Sequence, residues 1–181
     1  MGAKRFVVDL DRCFYCFACE VACKQENGLP EGQSWIRVVR RGPEPVGERL
    51  FADFVPTLCR QCGAPLCAFV CPADAIEKRA DGLVLVKEED CNGCGLCADA
   101  CPAGAIQMDP ERELAGKCHF CFERVDSALP PSCVAHCPGG ALYFVEEEEL
   151  EAMAAGKRKK EFATSAPRSR PCRFDDDAPR K

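Results

Sequence analysis

Sixteen of the seventeen cysteines fall into four groups of four along the 181-residue chain. Each group opens with C-x-x-C and closes with C-x-x-x-C, and only the gap between these two pairs varies. Thiolates at this spacing are ligands of iron–sulfur clusters, so the sequence predicts four [4Fe–4S] clusters. The groups are Cys13, Cys16, Cys19 and Cys23; Cys59, Cys62, Cys67 and Cys71; Cys91, Cys94, Cys97 and Cys101; and Cys118, Cys121, Cys133 and Cys137.

The last three groups continue into the same segment, which indicates duplication of one structural unit. Each segment runs from cysteine and proline through small residues to an aliphatic side chain, at Cys71–Ile76, Cys101–Ile106 and Cys137–Leu142. The unit is half of a bacterial ferredoxin. Its first three cysteines wrap one cluster, and we expect the fourth, on a following short helix, to ligate the neighbouring cluster. The groups must therefore work in pairs.

Adjacent groups two and three predict one two-cluster module, and groups one and four then pair across the chain ends. The strands expected at 6–10 and 141–145 lie just outside this second pair. The predicted fold is α+β, with two interleaved two-cluster bacterial-ferredoxin modules, an inserted β-hairpin and an extended C-terminal tail. The boundaries are 1–23 plus 111–150 for the outer module, 24–55 for the hairpin, 56–110 for the inner module and 151–181 for the tail.

Zinc and disulfides are the alternative uses of so many cysteines. Aromatic residues make up only 8% of the chain, so cysteine chemistry must help to hold the fold together. A zinc ribbon needs two C-x-x-C pairs per ion but no third cysteine and no cysteine before proline. A disulfide framework is disfavoured by the odd cysteine count and by the absence of a signal-like N-terminus. Both alternatives are therefore weaker than clusters.

Several residues beside the cysteines have expected supporting roles. Basic side chains next to ligands can offset the negative charge of clusters. Histidines inside group four can pack or donate hydrogen bonds near sulfur, and the single tryptophan is expected to pack in the core or cover a cluster. These residues are Lys24, Arg60 and Lys117; His119 and His136; and Trp35. Cys172 is left over and is expected to be a free surface thiol.

Other function classes find little support. The formal charge of −5 does not favour nucleic acid, and no phosphate-binding loop or Ser/His/Asp set is present. No run of about 20 apolar residues predicts a membrane span. The basic run at 157–160 is expected to be a helix end with solvated charge, or else a patch for anionic lipid or a partner.

The pattern resembles a known family over residues 5–145. Its marks are the run Cys13–Lys24, the four-residue inner gap of group two and the long inner gap of group four. Together they resemble the four-cluster iron–sulfur subunits of the dimethyl sulfoxide reductase type, whose relatives serve polysulfide, nitrate and formate enzymes and hydrogenases. The resemblance implies four ligand sets: Cys13, Cys16, Cys19 and Cys137; Cys118, Cys121, Cys133 and Cys23; Cys59, Cys62, Cys67 and Cys101; and Cys91, Cys94, Cys97 and Cys71.

The resemblance also implies a role as an electron-transfer subunit that is not catalytic alone. Such a subunit carries electrons between a large molybdenum- or tungsten-pterin subunit and a second redox subunit of the quinone-reactive, flavin or hydrogenase type. The alternative is a free-standing or self-associating polyferredoxin. The short link between groups three and four and the lack of a C-terminal membrane helix favour a cytoplasmic complex, although export bound to a signal-bearing partner stays open.

Overall fold

The computed structural model describes residues 4–46, 48–146 and 149. Short helices and antiparallel strand pairs alternate along this part of the chain, which confirms the predicted α+β class. The predicted tail at 151–181 and Cys172 lie outside the described residues. The elements are β1 (Lys4–Val8), α1 (Ala18–Asn27), β2 (Ile36–Val46), β3 (Arg49–Leu58), α2 (Leu66–Phe69), β4 (Ile76–Lys78), β5 (Val84–Val86), a 3-10 turn (Glu88–Asp90), α3 (Leu96–Asp99), β6 (Ile106–Met108), β7 (Ala115–Lys117), α4 (Phe122–Asp126), α5 (Ser132–Ala135) and β8 (Leu142–Glu146).

The strands of the described residues form four separate two-stranded antiparallel sheets. Three of them join neighbouring strands: β2 with β3, β4 with β5, and β6 with β7. The fourth joins β1 to β8, with Val8 opposite Leu142, so the two ends of the described chain are held together. A two-stranded sheet is marginally stable by itself in water, so each pair needs support from what packs against it.

The helices that follow the cysteine loops end earlier than predicted. In α2, α3 and α5 the third cysteine of the group lies in the helix, but the fourth follows the helix end. The fourth cysteine precedes proline in these three groups, and a residue before proline is disfavoured in helical conformation. In group one Lys24 follows Cys23, so α1 continues to Asn27 and includes its fourth cysteine.

Seven of the sixteen described cysteines are buried and form part of the core, whereas Cys16 and Cys94 are exposed. A first group of buried side chains surrounds β1, β8 and α1, and a second surrounds the short strands of residues 76–117. Ligand-type cysteines thus occupy core positions that bulky residues fill in other small domains. The first core contains Phe6, Val8, Ile36, Phe120 and Leu142 with Cys19, Cys23, Cys59, Cys118 and Cys133, and the second contains Ile76, Val84, Ile106 and Ala115 with Cys97.

The long β2–β3 hairpin is tied to two other parts of the fold. The carboxylate of Glu20 in α1 accepts a hydrogen bond from the Val38 N–H at 2.6 Å. Just before β2, the Ser34 N–H donates to the side-chain oxygen of Gln107 in β6 at 2.9 Å. The inserted segment is therefore a connector between chain regions that are far apart in sequence. No helix among the described residues has the length and apolar character needed to cross a bilayer.

Candidate cluster-binding sites

The first cavity brings together cysteines from the two ends of the chain. Cys13, Cys16 and Cys19 line it on one side, and Cys137 lines it from the far end of group four. The rest of the wall is mainly apolar and includes Phe14 and Phe17 beside the cysteine loop. The β1–β8 pairing holds these two chain ends in place.

The second cavity collects the complementary set. Its wall contains Cys118, Cys121 and Cys133 of group four and Cys23 of group one. Cys19 and Cys23 lie one helical turn apart on α1, yet they line different cavities. Helix α1 therefore lies between the first and second cavities.

The inner half of the molecule holds the remaining cysteines. The third cavity is lined by Cys91, Cys94, Cys97 and, from the preceding group, Cys71. In the other inner set, burial raises the pKa of Cys67, and the nearby thiolates of Cys59 and Cys101 raise it further. Cys67 and Cys101 also pack against the same buried core, and Cys62 lies on the same loop between Cys59 and Cys67. No cysteine among the described residues forms a disulfide.

The cysteine loops have a backbone suited to an anionic group. Left-handed residues, which are uncommon outside glycine, recur between the cysteines of all four groups. Alternation of left- and right-handed residues turns successive N–H groups toward one point, a geometry found at many iron–sulfur sites. The residues with positive φ between the cysteines of each group are Tyr15 and Phe17; Gln61; Gly93 and Gly95; and Phe120, Cys121 and Ala128.

Burial makes the bare thiols poor acids. It raises the pKa of Cys19 to about 12 and that of Cys23 to about 12, and neighbouring thiolates add to the effect. The pKa of Cys118 and that of Cys133 are raised for the same reason. Iron binds thiolates, so cluster loading must release these protons. The positive charge of the iron ions is needed to stabilise the deprotonated sulfurs.

Hydrogen-bond donors are placed beside several sulfurs. The Ala105 N–H donates to the Cys101 sulfur at 3.4 Å, and at the equivalent repeat position the Ala141 N–H donates to the Cys137 sulfur at 3.3 Å. Such donors stabilise charge on cluster ligands. Asn27 also lies near the Cys23 sulfur, at 3.6 Å.

The second cavity also has a donor without a partner. The buried indole N–H of Trp35 makes no hydrogen bond, although the ring lines this cavity. The ring packs edge-on against His119, with centroids 5.2 Å apart. An orphaned buried donor is costly in an empty pocket but fits a wall facing sulfide and thiolate acceptors. Trp35 thus packs against the core and lines the wall of this cavity.

The two histidines differ in placement. His119 is partly buried on the wall of the second cavity, and its Nδ1 accepts a hydrogen bond from the Phe122 N–H at 3.3 Å. Burial lowers the pKa of His119. His136 is exposed and its Nδ1 lies 2.9 Å from the Ser132 carbonyl oxygen. Of the two, only His119 lines a cysteine cavity in the described part of the chain.

Gly139 shows why the repeat varies at one position. The three repeats have Ala73, Ala103 and Gly139 two residues after the last cysteine. A Cβ at 139 would lie 2.6 Å from the Arg12 carbonyl oxygen and 2.8 Å from the Phe14 ring. The segment after the last cysteine of group four therefore lies too close to the group-one loop to accept an alanine side chain.

Substituting Gly139→Ala is expected to destabilise the protein by about 1–3 kcal/mol, the usual range for overpacking. The first cavity should be disturbed most, because the contacts at Gly139 are with Arg12 and Phe14. Denaturant unfolding and the visible absorbance of the purified protein measure both effects. The control is Ala103→Gly at the equivalent repeat position, which should cost only about 0.4–1 kcal/mol through chain flexibility. Equal effects of the two changes would contradict the close approach.

Comparison with known proteins adds independent information. Residues 50–147, which contain groups two to four, match a family described as the 4Fe-4S dicluster domain. The chain is 39% identical to a subunit of tetrathionate reductase from Salmonella typhimurium, over 75% of this chain and 54% of that protein. It thus spans about half the length of that relative.

Two further relatives are covered more fully. The chain is 36% identical to the thiosulfate reductase electron transfer subunit of Salmonella typhi, over 79% of this chain and 76% of that protein. It is also 36% identical to a chain of the anaerobic dimethyl sulfoxide reductase of Escherichia coli, over 90% of this chain and 80% of that protein. The similarity therefore extends beyond the cysteine loops to most of the chain.

Proposed function

Because the chain belongs to the 4Fe–4S family of iron–sulfur electron-transfer subunits of the dimethyl sulfoxide reductase type, we propose that it carries four [4Fe–4S] clusters. These clusters form an electron-transfer path between a molybdenum- or tungsten-pterin catalytic subunit and a second redox partner. The observation that carries the proposal is the assembly of cysteines into sets of four drawn from two groups each. The chain is not catalytic alone.

The ligand sets follow the crossed arrangement. Three cysteines of one group and the last cysteine of its partner group hold each cluster, and the cavity walls support three of the sets directly. The neighbouring sulfurs around Cys67 support the fourth. The sets are Cys13, Cys16, Cys19 and Cys137; Cys118, Cys121, Cys133 and Cys23; Cys59, Cys62, Cys67 and Cys101; and Cys91, Cys94, Cys97 and Cys71.

The same crossing divides the chain into two interleaved modules. Pairing of β1 with β8 supports an outer module of residues 1–23 and 111–150. Pairing of β4 with β5 and the third cavity support an inner module of residues 56–110. Residues 24–55 are then an inserted hairpin, and residues 151–181 a C-terminal arm.

The protein's own residues prepare the sites for electron transfer. When bound, a [4Fe–4S] cluster takes up and gives up single electrons. The cysteines supply thiolates, the loop N–H groups face the negative charge, and apolar side chains such as Phe17 and Leu142 exclude water. Keeping water away lowers the reorganisation that each change of charge requires.

The relatives' names support the choice of partners. All three are named as parts of reductases, and one of them as an electron transfer subunit, so a large pterin-bearing catalytic subunit is the expected first partner. A quinone-reactive, flavin or hydrogenase-type subunit is the second. We place the complex in the cytoplasm, with export alongside a signal-bearing partner as the alternative. A free-standing or self-associating polyferredoxin is the competing role.

Iron and acid-labile sulfide analysis of anaerobically purified protein tests the cofactor assignment. Four cubanes predict about sixteen iron and about sixteen sulfide per chain. A value near twelve of each would remove one of the four sites. Colourless protein with zinc and no labile sulfide would contradict the iron–sulfur assignment altogether.

The same preparation, isolated from its native cells by a tag on this chain, separates the two roles. A subunit of a reductase complex is expected to bring a large protein containing molybdenum or tungsten in equal amount. A chain that emerges fully loaded with clusters but alone, or bound only to copies of itself, would favour the polyferredoxin.

A further inference from the structure

Lys117 is a buried cation at the junction of the two halves of the molecule. Only 2% of the residue is exposed. Its ammonium group donates hydrogen bonds to the Val84 carbonyl oxygen and to the Cys118 carbonyl oxygen, the latter at 3.2 Å. Val84 belongs to the inner strands and Cys118 begins group four, so the lysine bridges the two halves.

The lysine has no protein counter-charge in the part of the chain that the structure describes. Its two acceptors are neutral carbonyl groups, and no carboxylate pairs with it there. A buried unpaired charge is costly because it has lost its hydration. An ammonium also has three N–H donors, of which two are accounted for. The position therefore requires nearby negative charge from something other than a carboxylate.

Two candidate cluster sites lie on either side of this position. Cys118, the next residue, lines the second cavity. The loop of the other set is held beside it, because Gln61, between Cys59 and Cys62, donates to the same Cys118 carbonyl oxygen that Lys117 contacts. Cys59 and Cys118 pack in the same buried core, so the two sites face each other here.

Gln61 keeps the junction rigid. Its side-chain amide donates to the Cys118 carbonyl oxygen at 2.7 Å and accepts from the Val84 N–H at 2.6 Å. Gln61 and Lys117 therefore bridge the same two residues, one in each half. The ammonium is held at a fixed point and cannot swing toward solvent.

We propose that Lys117 is a fixed positive charge between two clusters, the one in the second cavity and the one held by Cys59, Cys62, Cys67 and Cys101, and that it raises the reduction potentials of both. The inference rests on the four-cluster function proposed above. Adding an electron to either cluster adds one negative charge, and a cation held beside it in a poorly hydrated region favours that reduced form. Lys117 thereby keeps both clusters reducible at the point where an electron crosses from one half to the other. It is a positioning residue for charge and takes no part in bond chemistry.

Redox titration of the holoprotein followed by electron paramagnetic resonance tests the proposal. In Lys117→Met, two of the four midpoint potentials should fall and the other two should stay unchanged. Lys117→Arg, which keeps the charge, should leave all four closer to the wild-type values. The matched control is Lys87→Met, which removes an exposed charge paired with Glu77 and should move none of them. Unchanged potentials in a fully loaded Lys117→Met protein would overturn the proposal.

A second neutral variant covers failure of the first to load. Lys117→Gln keeps N–H donors for the two carbonyls but removes the charge. Loss of the cluster in the second cavity and of the Cys59, Cys62, Cys67 and Cys101 cluster in both neutral variants, with retention in Lys117→Arg, supports a required cation. Loss in Lys117→Arg as well would reduce the residue to a packing role and overturn the proposal. A wild-type protein with fewer than four clusters would instead count against the proposed function.

Discussion

Removing iron with a chelator is expected to unfold the protein, leaving no folded apoprotein. The helices α2, α3 and α5 are four residues long, and the sheets have two strands each. Helices shorter than about 12 residues and isolated two-stranded sheets are marginal in water. Without iron, nothing joins the four cysteines of each set, because no disulfide links the described cysteines. Cluster binding energy is therefore folding energy.

The pairing of β1 with β8 shows where unfolding on iron removal should be detected. The first site joins Cys13 to Cys137, so iron there fixes the two segments that β1 and β8 also pair. Amide hydrogen exchange in β1 and β8 should change from slow to fast on chelation, together with loss of the cooperative thermal transition in circular dichroism. Anaerobic addition of iron and sulfide should restore both signals. A chelated protein that kept slow exchange in β1 and β8 would contradict the prediction.

Candidate cluster ligands can be identified from cysteine spacing because that spacing is a local property of the chain. A loop with cysteines two apart can wrap one group wherever it lies, so the cavities combine residues that the spacing had already paired. The strands at the chain ends were predicted within about two residues for the same reason, since short and nearly continuous apolar runs mark them locally.

Helix ends and junction residues were harder to predict. The fourth cysteine was expected on a helix, but the following proline ends the helix first in three groups. Gln61 carries no pattern in the sequence that marks it as a bridge. Its role depends on Val84 and Cys118 meeting, which is a tertiary event. Lys117 was expected to be near sulfur, but its burial could not be read from its neighbours in the chain.

Cys23→Ser is expected to damage the second cluster and spare the first, although Cys23 belongs to group one. Cys19 and Cys23 are four residues apart on α1, which separates them by about 6 Å along the helix axis. Cys19 lines the first cavity and Cys23 the second. Serine nearly preserves the size of the side chain but is a far weaker iron ligand than a thiolate, so the site that depends on Cys23 should lose or convert its cluster.

Two reference variants identify which cluster is lost. Cys16→Ser should remove the signal of the first cluster, and Cys121→Ser that of the second. These two cysteines belong to the first and second clusters whether each group keeps its own fourth cysteine or exchanges it with its partner group. The electron paramagnetic resonance spectrum of reduced Cys23→Ser should then match that of Cys121→Ser, with iron falling toward about twelve per chain. If it matched Cys16→Ser instead, each group would hold its own cluster. The interleaving of the two modules would then have to be abandoned, since only the crossed cysteines make one cluster depend on both ends of the chain.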